Sequence, residues 1–253
     1  MNTKLPLSAL IVLLVACTGV SPPVLIAHAG GGFEGKDYTN SKEAFDFNYN
    51  AGHRFFEVDI SFTSDNRPVL IHDWDGIYKR YFKDSPEHVT LTEFKTLQMD
   101  SGMHQMTIED LYAWMEEHPD ALIVTDVKSG NLKALKLIAD EYEQYQERII
   151  PQIYDVSEFE PVRQMGYKNI IFTLYMTSIS DKDLLDFASA NQLFAVTMVP
   201  QRAEKVAQKL KEQGVTVYSH TINSLANLKD LQKVGVHGVY TDFIYPSNIT
   251  LMS

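Results

Sequence analysis

"FFEVDISFTSDNRPVLIHDWD", residues 55–75, holds two runs rich in β-branched and aromatic residues, FFEVDISF and PVLIH, separated only by the turn-like TSDNR. A parallel pair needs a crossover of about a dozen or more residues, so 55–62 and 68–72 are expected to form an antiparallel hairpin. Further strand-like runs occur at 24–28, 121–127, 149–154, 169–174, 193–198, 215–220 and 238–242. Between most of them lie amphipathic segments of helical period, such as 41–51, 107–117, 131–145 and 201–213,. This alternation implies an α/β fold with a parallel sheet flanked by helices. Nine strands are one too many for an eight-stranded barrel, but with 68–72 as a returning arm eight parallel units remain. The expectation is a (β/α)8 TIM barrel with a β-hairpin after the second strand. Residues 73–106 fit poorly into one crossover helix and are expected to form a small insertion at the barrel mouth.

The chain has 253 residues, ample for one large domain, and a formal net charge of −11,. With a pI near 5.1 it has no basic footprint for nucleic acid or for an anionic membrane surface,. A polyanionic ligand must therefore be met by a metal or by a few local cations. The N-terminus, MNTKLPLSALIVLLVAC, has one cation at Lys4, an apolar stretch over 5–15 and a small residue before Cys17. That pattern reads as a secretory signal, too short for a membrane span. Leu14-Val15-Ala16-Cys17 resembles the lipobox of bacterial lipoproteins, whose cysteine is lipidated and becomes the first mature residue. Cys17 is the only cysteine and has no disulfide partner within the chain,. The expected organisation is a lipoprotein-type signal peptide over 1–16, a lipidated tether over 17–23 and a barrel domain over 24–253. Such a protein is secreted across the cytoplasmic membrane and anchored in the cell envelope through Cys17.

In (β/α)8 barrels the chemistry sits at the C-terminal ends of the strands, and the reactive residues fall there. His28 closes the first strand, Glu57 and Asp59 lie late in the second, His72 ends the returning arm, Asp126 lies late in the next strand and Asp242 ends the last. Residues two apart on a strand share a face, so Glu57 and Asp59 point the same way among apolar neighbours. Unless the strand is an exposed edge, two such carboxylates repel and are costly to desolvate without a cation between them. Asp126 repeats the oddity in ALIVTDVK. Three carboxylates make a hard-oxygen site suited to one divalent cation, Ca2+ or Mg2+. Zinc is disfavoured, because no imidazole or thiolate ligands stand at a recognisable spacing.

A divalent ion with three carboxylates remains net negative, so holding a phosphate requires another positive charge. Lys128, two residues beyond Asp126 and on the same face, is the candidate. The backbone N–H groups of Gly30, Gly31 and Gly32 either form an anion-binding concavity or merely permit a tight turn. His28 and His72 are candidates to share proton transfer. Asp73 is expected to orient His72 or cap the following turn, and Trp74 to stack on substrate or cover the mouth. Tyr154, His220 and Asn223 are candidates to line the pocket, while Asp242 reads as a tie between the last strand and its loop. His53, His88, His104, His118 and His237 read as surface or loop residues with no assigned role.

The ordered series IAHAGGG, TNSKEAF, FFEVDISFTSDNRPVLIHDWD, LTEFKTL, TIEDLYAW, VTDVK, GVTVYSHTIN and GVHGVYTDF resembles the glycerophosphodiester phosphodiesterases. These belong to the phosphatidylinositol-phospholipase-C-like phosphodiesterase superfamily. The most specific element is Glu-x-Asp followed by His-Asp thirteen residues after Asp59. The resemblance implies a (β/α)8 barrel with a small insertion, a Ca2+ or Mg2+ ion, and hydrolysis of glycerophosphodiesters to glycerol 3-phosphate and an alcohol. It matches His28 and His72 to paired catalytic histidines and Glu57, Asp59 and Asp126 to metal ligands. Lys128 matches a lysine of a strand motif and Asn40 the asparagine of a Pro-Glu-Asn-Thr stretch, and both are candidates to bind the substrate and its phosphate.

The departures bear on head-group recognition rather than reaction class. Ala29 stands where the family usually has a phosphate-holding arginine, which removes a bidentate donor. Asp126 is shorter than the usual glutamate, and Tyr38-Thr39-Asn40-Ser41 lacks the glutamate of the corresponding stretch. Three readings follow: a metal-dependent glycerophosphodiesterase of the cell envelope, a phospholipase C- or D-like enzyme acting on intact phospholipid or phosphoinositide, and a non-catalytic lipoprotein binding phosphodiesters or sugars. Retention of both histidines and all three carboxylates argues against the third. The expected partner is a small phosphodiester or phospholipid, with membrane contact through Cys17 and no nucleic acid.

Overall fold

The computed structural model describes residues 22–83 and 86–250; the expected leader and Cys17 lie outside the described residues. Its strands are β1 (Leu25–Ala27), β2 (Phe55–Phe62), β3 (Pro68–Leu70), β4 (Leu122–Asp126), β5 (Ile149–Ile153), β6 (Ile171–Thr173), β7 (Ala195–Met198), β8 (Val217–Ser219) and β9 (Gly238–Thr241). The sheet runs β1-β9-β8-β7-β6-β5-β4-β2-β3, and β1 also pairs with β2, so eight parallel strands close into a ring. β3 lies outside the ring as an antiparallel arm on β2, with Ile60 opposite Leu70. This is a (β/α)8 barrel carrying the hairpin that the short TSDNR connection demands.

The helices are α1 (Lys42–Asn50), α2 (Gly76–Tyr81), α3 (Leu91–Phe94), α4 (Ile108–Glu117), α5 (Asn131–Glu141), α6 (Phe159–Gln164), α7 (Asp181–Ala190), α8 (Pro200–Glu212), α9 (Leu225–Lys233) and α10 (Pro246–Thr250). Their starts follow from capping chemistry: Ser41, Thr107, Ser180 and Ser224 each accept a backbone N–H from the first turn,. At α4, Thr107 and Asp110 cap each other reciprocally,. The helical expectation over 131–145 is too long. α5 stops at Glu141, where Tyr142 leaves helical geometry and its ring stacks on Tyr112 at 4.2 Å, with Tyr145 on the same ring at 4.6 Å. The first strand likewise stops at Ala27, because His28–Gly30 enters a tight turn.

Residues 73–106 contain α2 and α3 and form the expected insertion, with a core of its own in which Tyr78, Phe82, Phe94 and Met103 pack beneath β3 residue Val69. Within the barrel, each strand of the ring contributes one side chain to an apolar layer: Ile26, Phe55, Val124, Ile150, Ile171, Ala195, Tyr218 and Tyr240. Two residues further along each strand, on the same face, stand His28, Glu57, Asp126, Gln152, Thr173, Thr197, His220 and Asp242. The barrel thus changes from an apolar floor to a polar ring towards the C-terminal ends of its strands. His53 is not a surface residue: it is buried beside Phe56 and Tyr245, its Nε2–H donates to the Ile244 carbonyl at 3.1 Å, and burial lowers its pKa to about 4.

Candidate active site

The chain leaves β1 through an abrupt turn in which Ala29, Gly30 and Gly31 all have positive φ (49°, 80° and 88°). Of the two readings of the glycine run, the structure builds the tight turn. The Gly31 N–H donates to the His28 carbonyl at 2.7 Å and the Gly32 N–H to the Asp242 carbonyl at 2.8 Å, so neither is aimed at an anion. Asn48 Nδ2 donates to the Gly30 and Gly32 carbonyls at 3.2 and 3.1 Å, closing the turn from the side of α1. A Cβ on Gly30 would lie 2.7 Å from the Phe45 ring, and one on Gly31 2.3 Å from Asn48 Nδ2. Gly30 and Gly31 are therefore required for close approach and left-handed backbone, and the N–H groups of Gly31 and Gly32 are spent within the turn and on the segment after β9. The Ala29 N–H is also engaged, donating to Glu57 Oε2 at 2.7 Å.

This turn aims the His28 ring. Its Nδ1–H donates to Asp242 Oδ1 at 2.9 Å, leaving Nε2 directed at Glu57, 4.0 Å from Oε2. Asp242 is itself fixed by Asn223, whose Nδ2 donates to Oδ2 at 2.8 Å and whose Oδ1 accepts the Asp242 N–H at 2.7 Å. His72 is arranged the same way. Its Nδ1–H donates to Asp73 Oδ2 at 2.5 Å, and its Nε2 lies 4.0 Å from Asp59 Oδ1. Asp73 does both things asked of it, because its other oxygen accepts the N–H groups of Asp75 and Ile77 at 3.0 and 3.1 Å. Tyr38 stands edge-on between the two imidazoles, its ring centroid 4.5 Å from His28 and 4.9 Å from His72.

Beside the imidazoles, Glu57, Asp59 and Asp126 place one carboxylate oxygen each within 4.8 Å of one another. The cause is register: β2 and β4 pair in parallel with Asp59 opposite Asp126. Glu57 and Asp59 are each 1% exposed, which removes the exposed-edge alternative. Burial, reinforced by Asp59, pushes the Glu57 carboxyl well above the usual carboxylate range. Burial works the same way on Asp59, but Lys128, the two histidines and Asn40 outweigh it and hold its pKa below the ordinary value. Lys128 Nζ donates to Asp59 Oδ1 at 2.8 Å and to Asp126 Oδ2 at 3.3 Å.

The donor set fits a hard divalent cation. Glu57 Oε1 is buried without a hydrogen-bond partner, an expensive condition for a carboxylate oxygen unless it has an ion to bind.

Other expected site residues are divided by the fold. His220 reaches the cavity; its Nδ1 is 3.0 Å from Thr197 Oγ1, and burial followed by repulsion from His28 lowers its pKa to about 4. Lys128 lines the cavity too. Asn40 and Tyr154 stand behind the carboxylates instead. Asn40 is fully buried and clamps Asp59 twice, with Nδ2 donating to Oδ2 at 3.0 Å and Oδ1 accepting the Asp59 N–H at 3.1 Å. Tyr154 donates its hydroxyl to Asp126 Oδ1 at 2.5 Å and accepts the Val127 N–H at 2.7 Å. Both position the carboxylates, and neither lines the cavity. Trp74 neither stacks in the cavity nor lines it: its indole donates to the Phe62 carbonyl at 2.8 Å and packs on Tyr78 and Phe94 in the insertion core.

The cavity above the polar ring measures about 260 Å³, and its lining also includes Tyr38, Gln152, Thr173, Tyr175 and Tyr240. Tyr175 donates to both oxygens of Asp126, at 2.8 and 2.9 Å. Sequence reasoning passed over Tyr175 and Gln152, although each follows from strand period: both lie two residues beyond an inward-facing position. Asp242 is more than a tie between the last strand and its loop, because its carboxylate holds His28. Tyr38 sits in a loop at φ 57° and had no periodic signal to find.

Burial works to lower the His28 pKa, but the Asp242 hydrogen bond and the charges of Glu57, Asp242 and Asp59 raise it to about 9. A raised histidine pKa contributes stability that is full below its ordinary value of 6.5 and is lost as pH climbs to about 9,. That contribution is on the order of 3 kcal/mol. The raised Glu57 pKa acts in the same direction. In the presence of a chelator, the melting temperature is expected to fall by roughly 5–10 °C between about pH 6.5 and pH 9. A flat profile measured by circular dichroism would contradict this electrostatic picture.

Residues 31–245 match the glycerophosphoryl diester phosphodiesterase family. The Bacillus subtilis protein YqiK is 22% identical over 240 residues, covering 87% of this chain and 94% of its own. Among solved structures, the glycerophosphodiester phosphodiesterase of Thermotoga maritima superposes with a TM-score of 0.71 at 17% identity, covering 92% of this chain and 100% of that one. An Oleispira antarctica phosphodiesterase in complex with the product sn-glycerol-3-phosphate superposes with a TM-score of 0.69 at 16% identity, covering 91% and 97%. The structural likenesses establish the same barrel, and the family match runs from the glycine turn to the segment after β9. The chain belongs to the glycerophosphoryl diester phosphodiesterase family and is a phosphodiester-hydrolysing enzyme.

Proposed function

We propose that this enzyme hydrolyses a glycerophosphodiester to glycerol 3-phosphate and an alcohol, with His28 and His72 as its acid–base pair. One divalent cation, Ca2+ or Mg2+, is held by Glu57, Asp59 and Asp126. A single arrangement supports this reading: two imidazoles, each held at Nδ1 by an aspartate, present Nε2 to one cavity beside a carboxylate cluster with an unsatisfied oxygen. The cation, when bound, offsets charge on the phosphate oxygens and stabilises what develops at phosphorus. One imidazole Nε2 gives its proton to the leaving alcohol oxygen as the P–O bond breaks, and the other accepts the proton of the attacking hydroxyl, supplied by water or by the neighbouring hydroxyl of the glycerol. In the latter case a cyclic phosphate forms, and water opens it with the two histidines exchanging roles. Lys128, the one Lys or Arg lining the cavity among the described residues, serves the phosphate in the absence of an arginine at position 29.

The test is turnover of glycerophosphocholine, glycerophosphoinositol and intact phosphatidylinositol, each with EDTA and with added Ca2+ or Mg2+. Cleavage of a water-soluble diester that EDTA abolishes and the cation restores is expected. Cleavage indifferent to EDTA would remove the metal from the reaction, and cleavage of phosphatidylinositol alone would favour the phospholipase reading. No turnover of any diester would favour a binding protein. The lipobox-like Leu14–Cys17 segment supports a location at the cell envelope, tethered through Cys17. On that reading Cys17→Ser moves the protein from the detergent phase to the aqueous phase in a phase-partition assay, and unchanged partitioning would discard the tether.

A further inference from the structure

The ring of Tyr38 stands between the imidazoles of His28 and His72, edge-on to both, and borders the cavity. It is half-buried, and its hydroxyl has no hydrogen-bond partner among the described residues. Its backbone is left-handed, at φ 57°, a conformation that a tyrosine holds only where its surroundings impose it,. They do so from both sides. The Asp37 carbonyl accepts Arg80 Nη2 at 2.8 Å and the Tyr81 hydroxyl at 2.6 Å, both from α2 in the insertion. Two residues beyond Tyr38, Asn40 is clamped to Asp59, and its N–H donates to the Ala29 carbonyl at 3.1 Å. The insertion and the carboxylate cluster together hold this phenol at the site.

The position says what the hydroxyl meets. Attacking and leaving oxygens lie roughly in line through phosphorus, so an acid and a base serving them flank the phosphate. A hydroxyl held between the two rings is then a neighbour of the non-bridging oxygens. Competing donors are engaged elsewhere. Lys128 already donates to Asp59 and Asp126, and Tyr175 gives its hydroxyl to Asp126. The Tyr240 hydroxyl is sealed in the barrel floor, and Ala29 has no side-chain donor and spends its N–H on Glu57. Burial, with the charges of Asp242, Asp59 and Glu57, raises the Tyr38 pKa, so its hydroxyl keeps the proton it would donate.

Resting on the hydrolysis proposed above, we infer that the Tyr38 hydroxyl donates to a non-bridging oxygen of the bound phosphodiester, which makes Tyr38 a phosphate-binding residue of this site.

The test is Tyr38→Phe in the full chain with Ca2+ or Mg2+, a change that removes the hydroxyl and keeps the ring between the imidazoles. Two quantities are compared with wild type: kcat/KM for glycerophosphocholine and glycerophosphoinositol, and the rise in melting temperature on adding sn-glycerol 3-phosphate, which reports phosphate binding without turnover. A hydrogen bond to a charged oxygen is worth roughly tenfold to a hundredfold. On that scale kcat/KM should fall by about the same factor, and about tenfold more glycerol 3-phosphate should be needed for a given rise. The rise produced by the cation alone should match wild type. Wild-type kcat/KM in the variant would overturn the inference, since the ring alone would then matter. So would a loss of turnover with an unchanged response to glycerol 3-phosphate, or one accompanied by loss of the cation-induced rise, because the change would then act through the imidazoles or the carboxylates. Failure of the wild type to cleave either diester would instead overturn the hydrolytic reading, and the glycerol 3-phosphate response of the two proteins would still decide whether the hydroxyl holds phosphate.

Discussion

His28→Ala and His72→Ala are each expected to lower kcat by about 10²- to 10⁴-fold, the contribution of a positioned general acid or base. KM should change far less, because neither imidazole is the main source of positive charge facing the phosphate. The loss follows from geometry: each Nε2 faces the cavity, and Nδ1 is committed to Asp242 or Asp73. Neither change leaves a hydrogen-bonding void that would unfold the barrel. In His28→Ala the Asp242 carboxylate keeps the Asn223 amide at 2.8 Å, and in His72→Ala the Asp73 carboxylate keeps the backbone N–H groups of its turn. Asp242→Asn separates aim from identity. It retains a polar group beside His28 but removes the negative charge that raises the imidazole pKa, so the limb of the pH–rate profile set by His28 should move to lower pH,. Wild-type kcat in either alanine variant, with an unaltered circular dichroism spectrum, would exclude that imidazole from the chemistry.

Glu57→Gln and Asp59→Asn are expected to cut activity together by roughly 10³-fold or more while moving metal-free stability in opposite directions. Glu57 is a buried carboxylate with one oxygen unsatisfied, and burial and Asp59 both oppose its charge. A glutamine keeps a carbonyl for the Ala29 N–H and turns an amide donor towards the remaining carboxylates, so the variant should melt higher than wild type in EDTA. Asp59 is the opposite case, because Asn40 and Lys128 already satisfy it and its pKa is held down. Its replacement leaves a lysine short of its counter-charge and should cost about 1–3 kcal/mol. The distinguishing measurement is the rise in melting temperature on adding Ca2+ or Mg2+, which reports binding without reference to turnover. Wild type should show it, and both variants should lose most of it. A full cation-induced shift in Glu57→Gln, or a metal-free melting temperature below wild type, would remove Glu57 from the metal site.

Much of this architecture was legible because its rules are local. The five-residue TSDNR connection is too short for a parallel crossover, so the hairpin and the strand count followed from chain length alone,. Glu57 and Asp59 stood out because strand period places both on one face of an otherwise apolar run, and Lys128 followed Asp126 by the same arithmetic. The residues placed inaccurately are those whose setting depends on distant chain. Asn40 carries the side chain of a ligand-binding residue, but its backbone at φ 46° turns it wholly onto Asp59. Trp74 was drawn away from the cavity by an insertion core that has no periodic signature in the sequence.

By itself, then, the sequence determined the barrel, the hairpin, the end of the barrel where chemistry occurs and the residue types gathered there, all consequences of spacing within single elements. Only the tertiary structure decided which of them meet. Ring closure between β1 and β9 brings Asp242 to His28 across 214 positions, and β2–β4 register sets Asp59 opposite Asp126. The run after His28 could have cradled a phosphate or closed a turn. Asn48, Phe45 and Asp242, packed against it from other elements, decide for the turn, because a glycine loop has no side chains with which to choose its own conformation,.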